Sequence, residues 1–161
     1  MDTKNPADWV TRKRKFSMNK ILTVVLLSLL LGACDGSAQP LVKDAWIRLL
    51  PGDLPAAAYF TVVNPGAQPL QLHSVETAAY GMTMMHRSEV VNGQSQMLPA
   101  EDVTVPAHGS LAFAPGGYHV MLMDPVKPLQ LGGSLPMTLV FSNGLKLTAD
   151  FSLHGPADQG P

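Results

Sequence analysis

From Leu41 onward the apolar runs of this chain are short, and none recurs at the spacing of a helix. An amphipathic helix needs apolar residues at i, i+3, i+4 and i+7 over several turns. Here each run is soon cut by Pro, Gly or Asn. The fourteen prolines and fourteen glycines fit loops between elements. Runs of this length with turn residues between them predict strands in a sandwich or barrel. The expected strands are Val42–Leu49, Ala57–Val63, Leu70–Glu76, Met82–Val91, Ser95–Pro99, Ser110–Phe113, Tyr118–Met123, Met137–Ser142 and Leu145–Leu153. One β-sandwich domain over residues 41–154 follows, with a linker at 34–40 and a flexible tail at 155–161.

Two turns carry their own mechanism. Asn92-Gly93 and Asn143-Gly144 each lie between strand candidates. Asn and Gly tolerate positive φ, which a two-residue type I′ hairpin demands at both positions. A two-residue loop at Asn92-Gly93 sets Val91 opposite Gln94 and Ser88 opposite Met97. Side chains alternate along a strand, so His86 shares a face with Ser88. His86 and Met97 become diagonal neighbours, about 7–8 Å apart at the backbone. On the later strand His119, Met121 and Met123 share one face, while Tyr118, Val120 and Leu122 share the other. Local pattern does not show whether the two faces converge.

The residue types on these faces suggest a metal. Six of the seven methionines after Cys34 fall between Met82 and Met123, close to two histidines. Met137, between Leu135 and Leu139, reads as a core gap-filler. His73, His108 and His154 lack a methionine partner at strand spacing and read as structural or exposed. Thioether sulfur is a soft donor that selects Cu(I), and imidazole tolerates the same ion. Zinc sites use thiolate, imidazole and carboxylate instead. Outside the cytoplasm thiolates tend to oxidise to disulfides, a fate thioether and imidazole avoid. His86, Met97, His119 and Met121 are therefore the candidate ligands, with Met84 and Met123 as candidate secondary contacts.

The spacing of these residues resembles the signature of the PCu(A)C copper chaperone family. That signature is His, ten residues, Met, twenty-one residues, then His-x-Met, and the chain matches it without a gap. Similarity extends to Asp44-Ala45-Trp46-Ile47-Arg48, Ala57-Ala58-Tyr59-Phe60 with Asn64, and Pro115-Gly116-Gly117-Tyr118-His119-Val120-Met121-Leu122-Met123. It covers roughly Val42 to Leu153. The resemblance implies an all-β, cupredoxin-like Greek-key β-sandwich that binds one Cu(I) through His86, Met97, His119 and Met121. It also implies periplasmic copper delivery towards cytochrome c oxidase assembly, to an oxidase subunit or a Sco-type thiol protein. Some members add a C-terminal His/Met-rich extension with a second copper site; the segment after His154 lacks it, a departure that speaks against Cu(II) handling.

The N-terminus reads as a targeting segment. Lys13, Arg14, Lys15 and Lys20 precede a mostly apolar run from Ile21 to Leu31. About eleven residues are too few for a bilayer that needs roughly 20, so residues 1–33 are expected to be a secretory signal. Met18 offers an alternative start, making residues 1–17 an over-extension. Leu31-Gly32-Ala33-Cys34 resembles a lipobox, in which Cys34 becomes the lipidated first residue. The alternatives are a soluble product cut near Ala38 and an uncleaved membrane anchor. Asp35 resembles an inner-membrane retention signal. Cys34 is the only cysteine, so no internal disulfide forms.

Charge and motifs narrow the function further. From Cys34 onward there are five basic and ten acidic residues, a formal net of −5. That disfavours nucleic acid, whose binding rests on Lys and Arg neutralising phosphates. A blue-copper electron carrier needs a cysteine ligand, which Cys34 is too far upstream to supply. No Ser-His-Asp spacing, phosphate loop or His-Glu-x-x-His motif is present, so no enzyme is expected. The remaining alternative is a structural or interaction lipoprotein without metal transfer. Histidine ligands must be unprotonated, so copper affinity is expected to fall below about pH 6.

Overall fold

The computed structural model describes residues 39–52 and 54–160. These lie within the compact unit Ser37–Pro161. Cys34 and the signal segment fall outside the described residues. Ten strands follow one another: β1 (Leu41–Arg48), β2 (Ala56–Asn64), β3 (Leu70–Glu76), β4 (Tyr80–Val91), β5 (Gln94–Pro99), β6 (Val103–Val105), β7 (Gly109–Phe113), β8 (Tyr118–Pro125), β9 (Ser134–Phe141) and β10 (Lys146–His154). There is no helix among the described residues.

The strands form one continuous sheet in the order β5-β4-β8-β7-β2-β1-β10-β9-β3-β6, with β8 also pairing β2. The neighbours β4–β8, β2–β7, β1–β10, β3–β9 and β3–β6 are not sequential, which is the crossing connectivity of a Greek key. The sheet curls so that its two halves share one core. Val120, Leu122 and Met85 of one half join Leu72, Val75 and Val105 of the other in a single buried cluster. Phe60 stacks on Phe113 at 4.4 Å and meets Phe151 edge-on at 5.5 Å. Burying each such ring contributes about 1.5–3 kcal/mol. The fold is thus the expected cupredoxin-like β-sandwich. Buried Asn64 closes one end: its side-chain amide donates to the carbonyls of Gln68 and Pro106, and its oxygen accepts from the Gly66 N–H.

Asn92-Gly93 is the expected two-residue turn. Both residues have positive φ, 52° and 79°, and Val91 pairs Gln94 while Ser88 pairs Met97. Asn143-Gly144 is not. Val140 pairs Lys146, and the Phe141 N–H reaches the Leu145 carbonyl, leaving three residues in the loop. The Gly144 N–H bonds back to the Phe141 carbonyl, and only Gly144, at φ 85°, is left-handed. This is a type I turn closed by a left-handed glycine, the usual three-residue hairpin. The Asn143 side chain accepts the Leu145 N–H instead of twisting its own backbone. The three-residue β6, which pairs β3, was not expected from sequence.

A bulge in β1 decides which residues face the site. Lys43 pairs Thr61, but Trp46 pairs Tyr59, so Asp44 and Ala45 together oppose one residue of β2. Asp44 takes φ 50°, a conformation Asp adopts more readily than most residues. The extra residue reverses the alternation beyond it. Ile47 then points into the core, and Trp46 and Arg48 turn to the outer face.

Candidate metal centre

The outer face of β5-β4-β8 brings the sequence candidates together through backbone register. His86 pairs directly with His119, Met84 with Met121, and Met82 with Met123. Met97, opposite Ser88 on β5, lies diagonal to His86, which itself pairs Pro99. The imidazole centroids are 5.9 Å apart, with ring planes inclined at 34°. The opposite face of the same strands is core: Met85 pairs Val120, both are buried, and the Thr83 hydroxyl donates to the Val75 carbonyl. Met84 and Met123 lie on the site face and not in the core.

The two histidines are held differently. His119 is only 5% exposed, and its Nδ1 lies 3.1 Å from the Gly117 carbonyl. A carbonyl only accepts, so Nδ1 is the donor, which in the neutral tautomer leaves the lone pair on Nε2. Orienting a ligand histidine through its other nitrogen is the usual arrangement at metal centres. His86 has a buried Nδ1 without a hydrogen-bond partner. Burial lowers its pKa, and repulsion from His119 lowers it further. Both effects favour the neutral ring, the form that binds metal.

Met97 is 53% exposed on β5, a strand exposed along its whole length. The site is therefore walled by paired strands on one side and open at an edge hairpin on the other. The far wall is aromatic. Tyr59 lies 6.5 Å from His119 and packs against Trp46 at 4.6 Å with the rings tilted by 33°. The Arg48 guanidinium sits over both rings, at 5.2 Å from Trp46 and 5.3 Å from Tyr59. Its Nε and one Nη are buried without an acceptor. Ala57 stands between Arg48 and Met121 in register, and its small side chain leaves that row open.

Sequence reasoning gave Trp46, Arg48 and Tyr59 no role in the site, because the Asp44 bulge that turns two of them is invisible to a period-2 pattern. Met82 was missed as well, though its even spacing with Met84 and His86 could have found it. His73 is exposed and pairs with Asp102 at 2.9 Å. His108 is exposed and bonds the Pro65 carbonyl. His154 bonds the Ser152 hydroxyl, edge-on to Trp46. None joins the cluster. Met137 is fully buried, as expected. Among the described residues no group of three or more His, Cys, Asp or Glu comes together, so the donors gathered here are imidazole and thioether.

Comparison with known proteins agrees with this geometry. Residues 41–153 match the family model described as "Putative lipoprotein LpqE-like". The "Putative lipoprotein Lxx21020" of Leifsonia xyli subsp. xyli is 33% identical over 104 residues, covering 64% of this chain and 62% of that protein. The chain thus spans less than two thirds of that relative's length. The copper-bound PCuAC domain from PmoF2 superposes with a TM-score of 0.62 at 27% identity, covering 74% of this chain and 96% of the domain. The Cu(I) form of DR1885 from Deinococcus radiodurans gives 0.53 at 29% identity, covering 73% and 81%. The chain belongs to the LpqE-like family, and its β-sandwich is a PCuAC domain.

Proposed function

We propose that this chain is an extracytoplasmic Cu(I) carrier, binding one ion through His86, Met97, His119 and Met121. The observation that carries this reading is the direct pairing of His86 with His119 one rung above Met84–Met121. Two imidazoles and several thioethers thereby share one face, with the buried Nδ1 of His86 lacking any partner. That donor set suits a soft monovalent ion. The copper-bound relatives support it. Copper is cargo here and is passed on by ligand exchange. A thiolate or imidazole of the acceptor forms a bond to Cu(I) as a thioether bond breaks, with no change of oxidation state. Met97, exposed on the edge hairpin, is placed to leave first. His119, nearly buried and fixed by Gly117, is the most firmly positioned of the four.

The recipient is a copper-accepting oxidase subunit or a Sco-type thiol protein, serving cytochrome c oxidase assembly. The protein works in the periplasm, tethered through acylated Cys34; the lipoprotein names of the family and relative support the tether. Cu(I) titration against a competing chelator tests the site: one tight equivalent is expected, lost in His86→Ala and in Met121→Ala. X-ray absorption of the loaded protein should report both nitrogen and sulfur neighbours. Parent-like binding by both variants would remove the assignment. A deletion strain should show an oxidase defect relieved by added copper, and normal oxidase activity at limiting copper would remove the delivery role.

A further inference from the structure

The histidine pair is the top of a ladder that continues past the proposed site. On one face of β4 and β8 stand three successive rungs: His86–His119, Met84–Met121 and Met82–Met123. Rungs two residues apart are about 6.8 Å apart along the strands, and paired residues lie about 4.5–5.5 Å apart across them. The Met82–Met123 rung is not part of the ligand set assigned above. We propose that Met82 and Met123 form a second, weaker Cu(I) site, through which the ion enters and leaves the tight one.

Core packing does not account for this rung, whose Met82 is exposed and whose Met123 is half-buried on the outer face. Met82 is 47% exposed and Met84 39% exposed, whereas Met85, between Met84 and His86 in sequence, is 7% exposed. Methionine fills gaps in cores, and Met85 and Met137 do that here. On an open strand surface a thioether fills no gap and is liable to oxidation. The chain places these groups in register, two by two, leading straight to two histidines.

The local backbone favours close approach at the lower end. A Cβ on Gly81 would lie 3.2 Å from the Cβ of Asp124, so glycine lets β4 and β8 stay paired down to Tyr80–Pro125. Asp124 takes φ 58° just after Met123. Beyond the rung, Tyr80 and Pro125 line the rim of an apolar groove of about 530 Å³ at that end of the sandwich. Met82 and Met123 thus stand between the histidine pair and that groove.

The chemistry is exchange of neutral donors. Cu(I) has a filled d shell and tolerates few ligands, so it can be held by two thioethers for a time. The flexible arms of Met84 and Met121 reach up to the histidines or down to the lower rung. In each step one Cu–S bond forms as one Cu–N or Cu–S bond breaks, and copper stays Cu(I). Without imidazole the lower site holds the ion less tightly. This proposal rests on the ligand set assigned above.

The test is an anaerobic Cu(I) titration of the mature chain carrying 13C-methyl methionine, followed by transfer to a small dithiol chelator. The first equivalent should shift the Met97 and Met121 methyls, and a second, weaker one those of Met82 and Met123. In Met82→Leu/Met123→Leu, a nearly volume-conserving change, the second equivalent should vanish while the first still binds. Release to the dithiol should slow about tenfold, since such differences lie mostly in dissociation rates. A parent that never takes up a second equivalent overturns the proposal, as does a double variant that keeps it. His86→Ala/His119→Ala separates the two readings. It should lose the first equivalent and retain the shifts of Met82 and Met123. Retention of the tight equivalent in that variant would refute the assigned ligand set and leave the ladder standing.

Discussion

The two faces of β4 carry the same residue type for opposite ends. Met85 points inward, buried against Val120 and the shared core. Met82 and Met84 point outward, largely open, in line with His86. On the inner face a methionine is one apolar shape among others, and what matters is its volume. On the outer face its volume is idle, and what matters is sulfur. The sandwich therefore separates stability from binding by the parity of a strand position.

Substitution on each face should break the protein in a different way. The largest effect is expected on the outer face. His119→Ala removes the oriented imidazole without touching the core cluster. Losing an outer partner of a metal ligand costs about 10–100-fold in affinity, and losing the ligand itself should cost more than that. Competition with a Cu(I) chelator measures it, and the apo protein, whose core cluster excludes His119, should stay folded. On the inner face Met85→Ala should cost about 2–5 kcal/mol by leaving a cavity, read by denaturant unfolding. The variant that remains folded should still take up Cu(I) with parent affinity. Loss of copper binding in folded Met85→Ala would mean that the two faces are not independent.

A smaller effect is expected where parity itself is set. Asp44→Val places a β-branched residue at positive φ, a conformation that costs roughly 1–2 kcal/mol for most residues. If β1 answers by closing the bulge, Trp46 and Arg48 rotate inward and Ile47 outward. Tryptophan fluorescence should report that as a change in environment, with Tyr59 and His119 losing their neighbours. Asp44→Gly keeps the bulge available and should leave the emission unchanged. A parent-like spectrum in both variants would show that the register is fixed elsewhere.

Much of this design was legible in the sequence, and the gaps have physical causes. The Asn92-Gly93 hairpin and the Ser88–Met97 pairing followed from turn chemistry and a period of two, because both are local. The same reasoning failed at Asn143-Gly144. There the dipeptide allowed a two-residue loop, but the flanking strands pair in a register that leaves three. The pairing of β4 with β8 is non-local, and no pattern within either strand specifies it; residue type and spacing nominate the four ligand candidates, and the strand register puts them on one face. Strand β6 is three residues long, too short to show a period. The aromatic and cationic wall of Trp46, Tyr59 and Arg48 was hidden by one extra residue in β1.

The smallest expected effect concerns protons, and it ties the faces together. Burial, then repulsion from His119, lowers the pKa of His86 below its ordinary 6.5. Above that value both folded and unfolded chains carry a neutral ring, and pH has no effect through this group. As pH falls below 6.5 the unfolded chain takes up a proton that the folded chain still refuses, so folding stability declines. The decline ends once pH passes the depressed folded value. Melting of the apo protein should therefore fall more steeply below pH 6.5 in the parent than in His86→Gln. Equal slopes would mean that another group carries the dependence. The same depression keeps the His86 lone pair free at lower pH than an ordinary histidine allows. Proton competition for copper at this residue accordingly begins further into the acid range than the bare sequence suggests.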